Sequence, residues 1–451
     1  MARLFGTNGV RGVVNEDLTV EKALRLGKAI GSVFRGSIAV ATDTRTSADM
    51  IRAAVVAGLA SVGSSAIDLG VLPTPALQLY VRSREGVSGG VMITASHNPP
   101  EFNGVKCISA DGTEASRAEE DRVEALFESD VPYAEREQVG TVSEAAGAAE
   151  EYVDAAVALV DAGSIRAAGL TVCLDCANGA ACATSPLLLK KLGVRAVTLN
   201  CDPQGEFPGR LSEPSEENLG DLIALVKATG ADLGVAHDGD ADRCVFIDGG
   251  GRYVSGDKGL AIMASRIAGP SKGTVVTTVS TSSVVEDAVA SAGGRVEYTA
   301  VGAPMVARRM IEIGAAFGGE ENGGLIFPEM QHCRDGAMGV AKMLELVASE
   351  GPLASLVDAL PAYHTEKRKI ECPGADKEKI LEALKGSFDG RIDETDGVKL
   401  IFEDGWVLAR PSGTEPIFRV FSESRDASVA KSRADEYAAI VRGAAAGNRG
   451  Q

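Results

Sequence analysis

Leu233-Gly234-Val235-Ala236-His237-Asp238-Gly239-Asp240-Ala241-Asp242-Arg243 decides how this chain is read. A short apolar run opens into a loop with three carboxylates. The same arrangement occurs twice more. Val91 to Thr94 opens into Ala95-Ser96-His97-Asn98-Pro99, and Ala315 to Phe317 opens into Gly318-Gly319-Glu320-Glu321-Asn322-Gly323-Gly324. Each run is the third strand of a unit that alternates strand and helix patterns. In the first unit these are Ile38 to Ala41, the helix Met50 to Ala60, and Ala66 to Leu69. In the second they are Leu170 to Leu174, Ser185 to Leu192, Val194 to Leu199 and Asn218 to Thr229. In the third they are Thr274 to Val279, Ser283 to Ala292, Val296 to Thr299 and Met305 to Ile313. Alternating strands and helices imply β-α-β units with mainly parallel sheets. Ligand chemistry collects beyond the carboxyl ends of such strands, where all three loops fall.

The tail has a different pattern. Lys377 to Lys385 reads as a helix, and Lys399 to Glu403 pairs with Trp406 to Ala409 around Asp404-Gly405, a hairpin dipeptide. Ile417 to Ser422 is a strand, Ala427 to Arg442 a closing helix, and Gly443 to Gln451 a frayed end. The fold class is therefore α/β: three related α/β domains with mainly parallel mixed sheets, plus a smaller C-terminal α+β domain. The expected divisions are 1–147, 148–250, 251–365 and 366–451.

Composition bounds the function. The chain has 451 residues, 45% hydrophobic and 24% charged, and its 45 basic and 63 acidic side chains give a net charge of −18. That balance excludes a general nucleic-acid binder, which needs a basic surface. It leaves room for an anionic small substrate held by a few converging cations. No apolar run approaches the ~18 residues of a membrane span. Met1 to Val10 lacks a signal pattern, so a cytoplasmic address is expected. Eight scattered cysteines fit reduced thiols, and the lone C-x-x-C, Cys173 to Cys176, lies on a strand pattern with no second pair at zinc spacing.

In an extended segment Asp238, Asp240 and Asp242 project from one face. Three carboxylates so placed repel unless a cation joins them, and hard oxygen donors suit Mg²⁺. An EF-hand is excluded, because its sixth position is Arg243 and its twelfth Gly249. Ser96 stands between a buried strand and two prolines, and a phosphate there would supply both a transferable group and metal-binding oxygens. Arg410-Pro411-Ser412-Gly413-Thr414 combines a forked cation, two hydroxyls and a glycine turn, with Arg419 nearby, as an anion cradle. Phe5 to Gly12 is glycine-rich around Arg11. Glu320 and Asn322 carry groups suited to sugar hydroxyls. No P-loop exists, since the only Gly-Lys pair, Gly27-Lys28, has Lys22 where glycine is required. Gly86-Val87-Ser88-Gly89-Gly90 precedes a strand instead of following one, against a hydrolase elbow. His332 and His364 read as structural or surface residues.

Together these motifs resemble the α-D-phosphohexomutase family over nearly the whole chain. The Gly6-to-Gly12 start, Thr94-Ala95-Ser96-His97-Asn98-Pro99, Asp238-Gly239-Asp240-Ala241-Asp242-Arg243 and Arg410-to-Pro416 occur in the family's order. The resemblance implies four domains around a central cleft and interconversion of hexose phosphates through a phosphoserine and a hexose 1,6-bisphosphate. It makes Ser96 the phosphoserine and assigns Mg²⁺ to Ser96, Asp238, Asp240 and Asp242. Arg243 falls beside the transferring phosphate, Lys106 and His97 at proton handling, and Arg11, Glu320, Asn322, Arg410, Ser412, Gly413, Thr414 and Arg419 at the sugar phosphate. Many members read Glu-x-Ser-Gly-His where this chain reads Glu320-Glu321-Asn322-Gly323-Gly324, so no histidine role is carried to Gly324. That form resembles the archaeal branch, which holds phosphoglucosamine mutases and phosphomannomutase/phosphoglucomutases. Glucosamine phosphate is the favoured substrate, with phosphomannose and phosphoglucose the alternative. An aspartyl-nucleophile phosphatase needs Thr or Val two residues after its second Asp, and here Asp240-Ala241-Asp242 runs on to Arg243-Cys244. A non-catalytic sensor would be expected to lose Ser96 or an aspartate, and all are present.

Overall fold

The Val87–Ile93 strand is flanked on one side by Phe102–Ser109 and on the other by Ser37–Thr42. Around these three the first sheet runs Val10–Val13, Phe102–Ser109, Val87–Ile93, Ser37–Thr42, Ser65–Val71 and Val142–Glu144. The first two pairings are antiparallel and the other three parallel. Its Ile38, Val40, Val91 and Ile93 bury against Leu26, Ile30, Ile51, Val55 and Leu59 of two helices, Val20–Phe34 and Ala48–Ser61. Those helices meet backbone to backbone. A Cβ on Gly27 would lie 2.3 Å from Val55 O, and one on Gly58 2.3 Å from Leu24 O.

The structure is a computed structural model and describes residues 3–6, 8–412 and 416–446. The second sheet runs Tyr253–Val254, Cys244–Asp248, Leu233–His237, Thr171–Asp175 and Arg195–Leu199. Here too a parallel set carries an antiparallel edge, because Cys244–Asp248 returns directly alongside Leu233–His237. Thr274–Thr278 pairs parallel with Arg295–Thr299 and with Phe317–Glu320. The last sheet, His364–Glu371, Ile417–Ser424, Gly405–Pro411, Val398–Phe402 and Arg391–Asp393, is antiparallel throughout. The architecture is four-domain α/β with mixed sheets, as expected. Among the described residues no helix is long and apolar enough to cross a membrane.

The chain forms two compact units, Met1–Gly259 with Asn322–Asp358, and Leu260–Glu321 with Ala359–Gln451. Several local expectations need correction. The hairpin turn is Glu403-Asp404, since Phe402 pairs with Gly405, which already belongs to the strand. Glu320 ends a strand instead of standing in a loop, because the ladder continues through Gly318. The closing helix extends to Ala446, past the expected fraying point.

Candidate active site

Thr94 continues the Val87–Ile93 strand, and the chain then turns sharply. Ser96 takes a left-handed backbone (φ +52°), an uncommon state for a residue with a Cβ that costs about 1–3 kcal/mol. A polar scaffold holds it there. Ser96 N–H donates to Thr94 Oγ1 at 2.8 Å, and Thr94 Oγ1 donates to Asp43 Oδ2 at 2.6 Å. Arg45 fixes the rest of the loop from beneath. Its Nε donates to Asp43 Oδ2 (3.1 Å), Nη1 to Pro99 O (2.5 Å) and Phe102 O (2.8 Å), and Nη2 to Ser96 O (3.0 Å) and Asn98 O (2.6 Å). All five guanidinium N–H groups are thereby used inside the protein. Burial pushes the Asp43 carboxyl up, and Arg45 and Thr94 work against that rise. Arg45→Met strands four carbonyl acceptors and an unpaired carboxylate. Breaking a buried pair costs about 3–5 kcal/mol. Urea unfolding is expected to show a loss of that size, with loss of whatever activity depends on Ser96.

The strand Leu233–His237 ends before the acidic triplet. The three carboxylates do not converge by strand alternation, as the spacing implied. A turn brings them together, with Ala241 left-handed (φ +55°) and Ala241 N–H donating to Asp238 O at 3.2 Å. Gly239 is needed at its tip, where a Cβ would meet Ser96 O at 2.4 Å. Ser96 Oγ consequently reaches Asp238 Oδ2 and donates to it at 2.8 Å. His237 anchors the turn by accepting from Ser185 Oγ at Nε2 (2.9 Å) and donating from Nδ1 to Arg243 O (2.9 Å). Burial pushes its pKa down to about 4, which keeps this neutral tautomer.

One oxygen from each of Asp238, Asp240 and Asp242 lies within 4.8 Å of the others, and all three residues are buried. Three cations face them. Lys106 Nζ donates to Asp240 Oδ2 at 2.6 Å and Asp242 Oδ2 at 3.4 Å, Arg334 Nη2 to Asp242 Oδ2 at 2.5 Å, and Arg243 Nε stands 3.8 Å from both Asp238 and Asp242. Thr74 Oγ1 adds a bond to Asp240 Oδ2 at 2.6 Å. Burial, then Asp242 and Asp240, push the Asp238 carboxyl well above the usual range. Burial acts the same way on Asp240, but Lys106, Thr74 and Arg334 outweigh it and hold that carboxyl low. Asp240 Oδ1 and Asp242 Oδ1 are buried with no hydrogen-bond partner among the described residues. Two orphaned hard oxygens beside a third that resists ionisation are a donor set that fits a divalent cation such as Mg²⁺.

Burial opposes the Lys106 charge, yet Asp240 and Asp242 prevail and raise its pKa. His97 is half-buried, 3.5 Å from Ser96 Oγ, and its Nδ1 accepts from Arg243 Nη2 at 3.1 Å. Burial, then Arg243 and Arg11, push its pKa down to about 2. Arg243 also donates to Glu213 Oε1 (3.3 Å), and Arg11 donates to Asn98 Oδ1 (2.8 Å). The structure thus gathers Ser96, His97, Lys106, Arg243, Arg11 and the three aspartates. Sequence reading missed Asp43, Arg45, Thr74, Glu213 and Arg334. Asp43-Thr44-Arg45 was findable, since it follows the Ser37–Thr42 strand at the end where ligand chemistry collects. Arg334 reaches Asp242 from 92 positions away with no local signal.

The remaining candidates are placed separately. Glu320 is buried at the end of Phe317–Glu320 in the second unit, whereas Asn322 belongs to the first and accepts from Gly324 N–H through Oδ1 at 3.2 Å. Arg410 pairs with Asp396 at 3.0 Å and stands opposite Arg419 across two strands, and Arg419 in turn stands opposite Lys369. Ser412 O accepts from Lys377 Nζ at 3.1 Å. Gly413 and Thr414 lie outside the described residues.

Comparison with known proteins adds four consecutive matches. The families described as phosphoglucomutase/phosphomannomutase alpha/beta/alpha domains I, II and III match residues 2–134, 150–251 and 255–363, and the C-terminal domain of the same group matches 366–440. A protein of Methanopyrus kandleri described as "Probable phosphoglucosamine mutase" is 42% identical, with 98% of each chain covered. The phosphoglucomutase/phosphomannomutase of Thermococcus kodakarensis is also 42% identical, with 96% of each chain covered. Among solved structures, a phosphoglucomutase/phosphomannomutase family protein from Burkholderia thailandensis superposes with a TM-score of 0.86 at 25% identity, covering 98% of this chain and 97% of the other.

Proposed function

Because the chain belongs to the phosphoglucomutase/phosphomannomutase family, the α-D-phosphohexomutases, we propose that Ser96 is the phosphoryl carrier of a phosphoglucosamine mutase. The chain is an isomerase of hexose phosphates. The observation that carries the assignment of Ser96 is its Oγ, held 2.8 Å from the buried aspartate cluster by a strained, over-determined loop. Phosphorylated Ser96 gives its phosphoryl group to the free hydroxyl of glucosamine 6-phosphate, forming a 1,6-bisphosphate. The bisphosphate presents its other phosphate and returns it to Ser96, leaving glucosamine 1-phosphate.

Asp238, Asp240 and Asp242, with an oxygen of phosphorylated Ser96, would hold Mg²⁺. When bound, that ion offsets negative charge at the transferring group. The protein's own groups do the rest. Arg243, fixed by Glu213, directs a fork of N–H donors at the equatorial oxygens. Lys106, bonded to Asp240 and held as a cation, and His97, 3.5 Å from Ser96 Oγ, are the candidates for proton handling at the reacting hydroxyl. Arg11, Glu320 and Asn322 contact the sugar phosphate. Arg410, Ser412, Gly413, Thr414 and Arg419 hold the phosphate that is not reacting. The cross-strand placement of Arg410 beside Arg419 brings two guanidinium groups to one place on the sheet, which suits an anion. We also propose domain divisions near 147, 250 and 365 and a cytoplasmic address.

Arg410→Ala is expected to raise KM for the hexose phosphate about tenfold or more, the loss of one charge-assisted contact. Labelling of Ser96 by the bisphosphate at saturation should be unchanged. Steady-state kinetics and phosphopeptide mapping read the two effects apart, and an unchanged KM counts against the clamp.

The substrate is tested with glucosamine, glucose and mannose 6-phosphates, each with Mg²⁺ and a hexose bisphosphate activator. Highest kcat/KM on glucosamine phosphate supports the reading. Higher values on glucose or mannose phosphate keep the reaction and change the substrate to that of the Thermococcus relative.

A further inference from the structure

The second sheet carries three thiols at the strand end that also carries the aspartate turn. Cys176 follows the Thr171–Asp175 strand, and its N–H donates to Leu199 O at 3.3 Å, one step beyond the parallel ladder with Arg195–Leu199. Cys201 stands just past that second strand, and the two Sγ atoms are 3.3 Å apart. Neighbouring strands lie about 4.8 Å apart, and disulfides span Cα separations of about 4.4–6.8 Å. Two cysteines on adjoining strand ends are therefore within bonding reach without refolding. Cys182 Sγ lies close by, 3.8 Å from Asn200 O. The pairing differs from the C-x-x-C in the sequence. Cys173 faces Thr229 Oγ1 at 3.4 Å, and Cys176 faces Cys201. All eight cysteines are free thiols; Cys176 is buried, and Cys182 and Cys201 are half-buried.

The thiols stand on the framework beneath the aspartate turn. Ala177 and Asn178, directly after Cys176, are both left-handed (φ 53° and 55°). Asn178 N–H donates to Asn200 O at 2.7 Å, and Asn178 O accepts from Thr44 Oγ1 at 2.8 Å and Gln204 N–H at 3.0 Å. Ala180 N–H donates to the carbonyl of Gly239, between two of the aspartates, at 2.9 Å. Closing a bond of about 2.05 Å from the present separation moves these two loop starts by about 1 Å. Thr44 adjoins Arg45, so both the serine loop and the aspartate turn feel the movement.

We propose that Cys176 and Cys201 form a reversible disulfide site that transmits the thiol–disulfide state of the surroundings to the aspartate turn. The oxidant is a low-molecular-weight disulfide. Cys201 as thiolate attacks one of its sulfurs, the oxidant's S–S bond breaks, and one thiol leaves. Cys176 Sγ then attacks Cys201 Sγ, the mixed disulfide breaks, and a second thiol leaves. The protein loses two electrons to the oxidant, and the two thiol protons depart on the released thiols. The order follows the environment: the contact with Cys176 lowers the Cys201 pKa, whereas burial raises that of Cys176.

The test exposes the reduced full-length protein to oxidised glutathione. Peptide mapping is expected to show the Cys176 and Cys201 peptides joined, and calorimetric titration to show weaker Mg²⁺ binding. The mutase rate should fall about tenfold or more, since misplacing catalytic groups by about 1 Å can cost a factor near 100. Dithiothreitol should restore both. Cys201→Ser, and independently Cys176→Ala, should keep the basal rate and ignore the oxidant. Absence of the linked peptide overturns the proposal, as does a linked protein whose Mg²⁺ binding and rate match the reduced form. A reduced parent that isomerises no hexose phosphate counts against the mutase reading alone, because peptide mapping and Mg²⁺ titration still decide the disulfide.

Discussion

Ser96→Ala protein is expected to fold like the parent and still bind hexose phosphate, with interconversion down by at least about 10⁴-fold, the scale of losing a covalent nucleophile. The fold should survive because the loop is held through main-chain groups and neighbours. Arg45 donates to the carbonyl of Ser96, and Thr94 accepts from its N–H. The hydroxyl makes one strong bond, to Asp238, whose carboxyl resists ionisation without a partner cation. Alanine at φ +52° keeps much the same backbone cost as serine. The measurement is a coupled mutase assay beside incorporation of labelled phosphate from the bisphosphate. Residual turnover near the parent's, or label retained in the variant, would mean that another residue carries the phosphoryl group. An aspartate of the triplet is then the first suspect, as in the phosphatase alternative.

Asp240→Asn should cost about 100-fold or more in rate and raise the Mg²⁺ concentration needed for half-maximal activity. Removing a ligand charge weakens a stabilisation of several kcal/mol, and each ~1.4 kcal/mol is tenfold. Asp240 also carries Lys106 and Thr74 on one oxygen, so a truncating change would leave a buried ammonium with only the longer contact to Asp242. Asparagine keeps an acceptor oxygen for both donors, which limits the loss of stability. Thermal unfolding measured alongside kinetics separates the two effects. A variant with the parent's Mg²⁺ response would remove Asp240 from the metal site.

What the sequence disclosed was whatever repeats over short range. The strand runs before the serine and aspartate loops, the helix Ser185–Leu192, and those two loops were legible, because period and loop chemistry are local properties. Convergence of the three aspartates was inferred from strand alternation and arises instead from a turn with Ala241 left-handed, which no spacing rule reports for an alanine. The helix Gly336–Glu350 went unread, although its capping Asp335 and Gly336 seat it on the aspartate turn, where a Cβ on Gly336 would meet Ala241 O and Arg243 O at 2.7 Å. Arg334 and Thr74 were invisible for a related reason. They act on the aspartates across long sequence separations, through tertiary approach alone.

The Arg45 fork has a consequence for motion. Local opening of a loop is cheap only where few bonds break. Opening the segment Ser96–Phe102 would break four at once, from one buried side chain. Amide protons there should exchange with solvent more slowly than those of an ordinary loop, although only Phe102 of the segment belongs to a strand. Under the proposed function, a bisphosphate that shows first one end and then the other to a fixed Ser96 needs its freedom from some other part of the molecule. Slow exchange at residues 96–102, unchanged by added hexose phosphate, is the signature of that division between a fixed anvil and a mobile remainder.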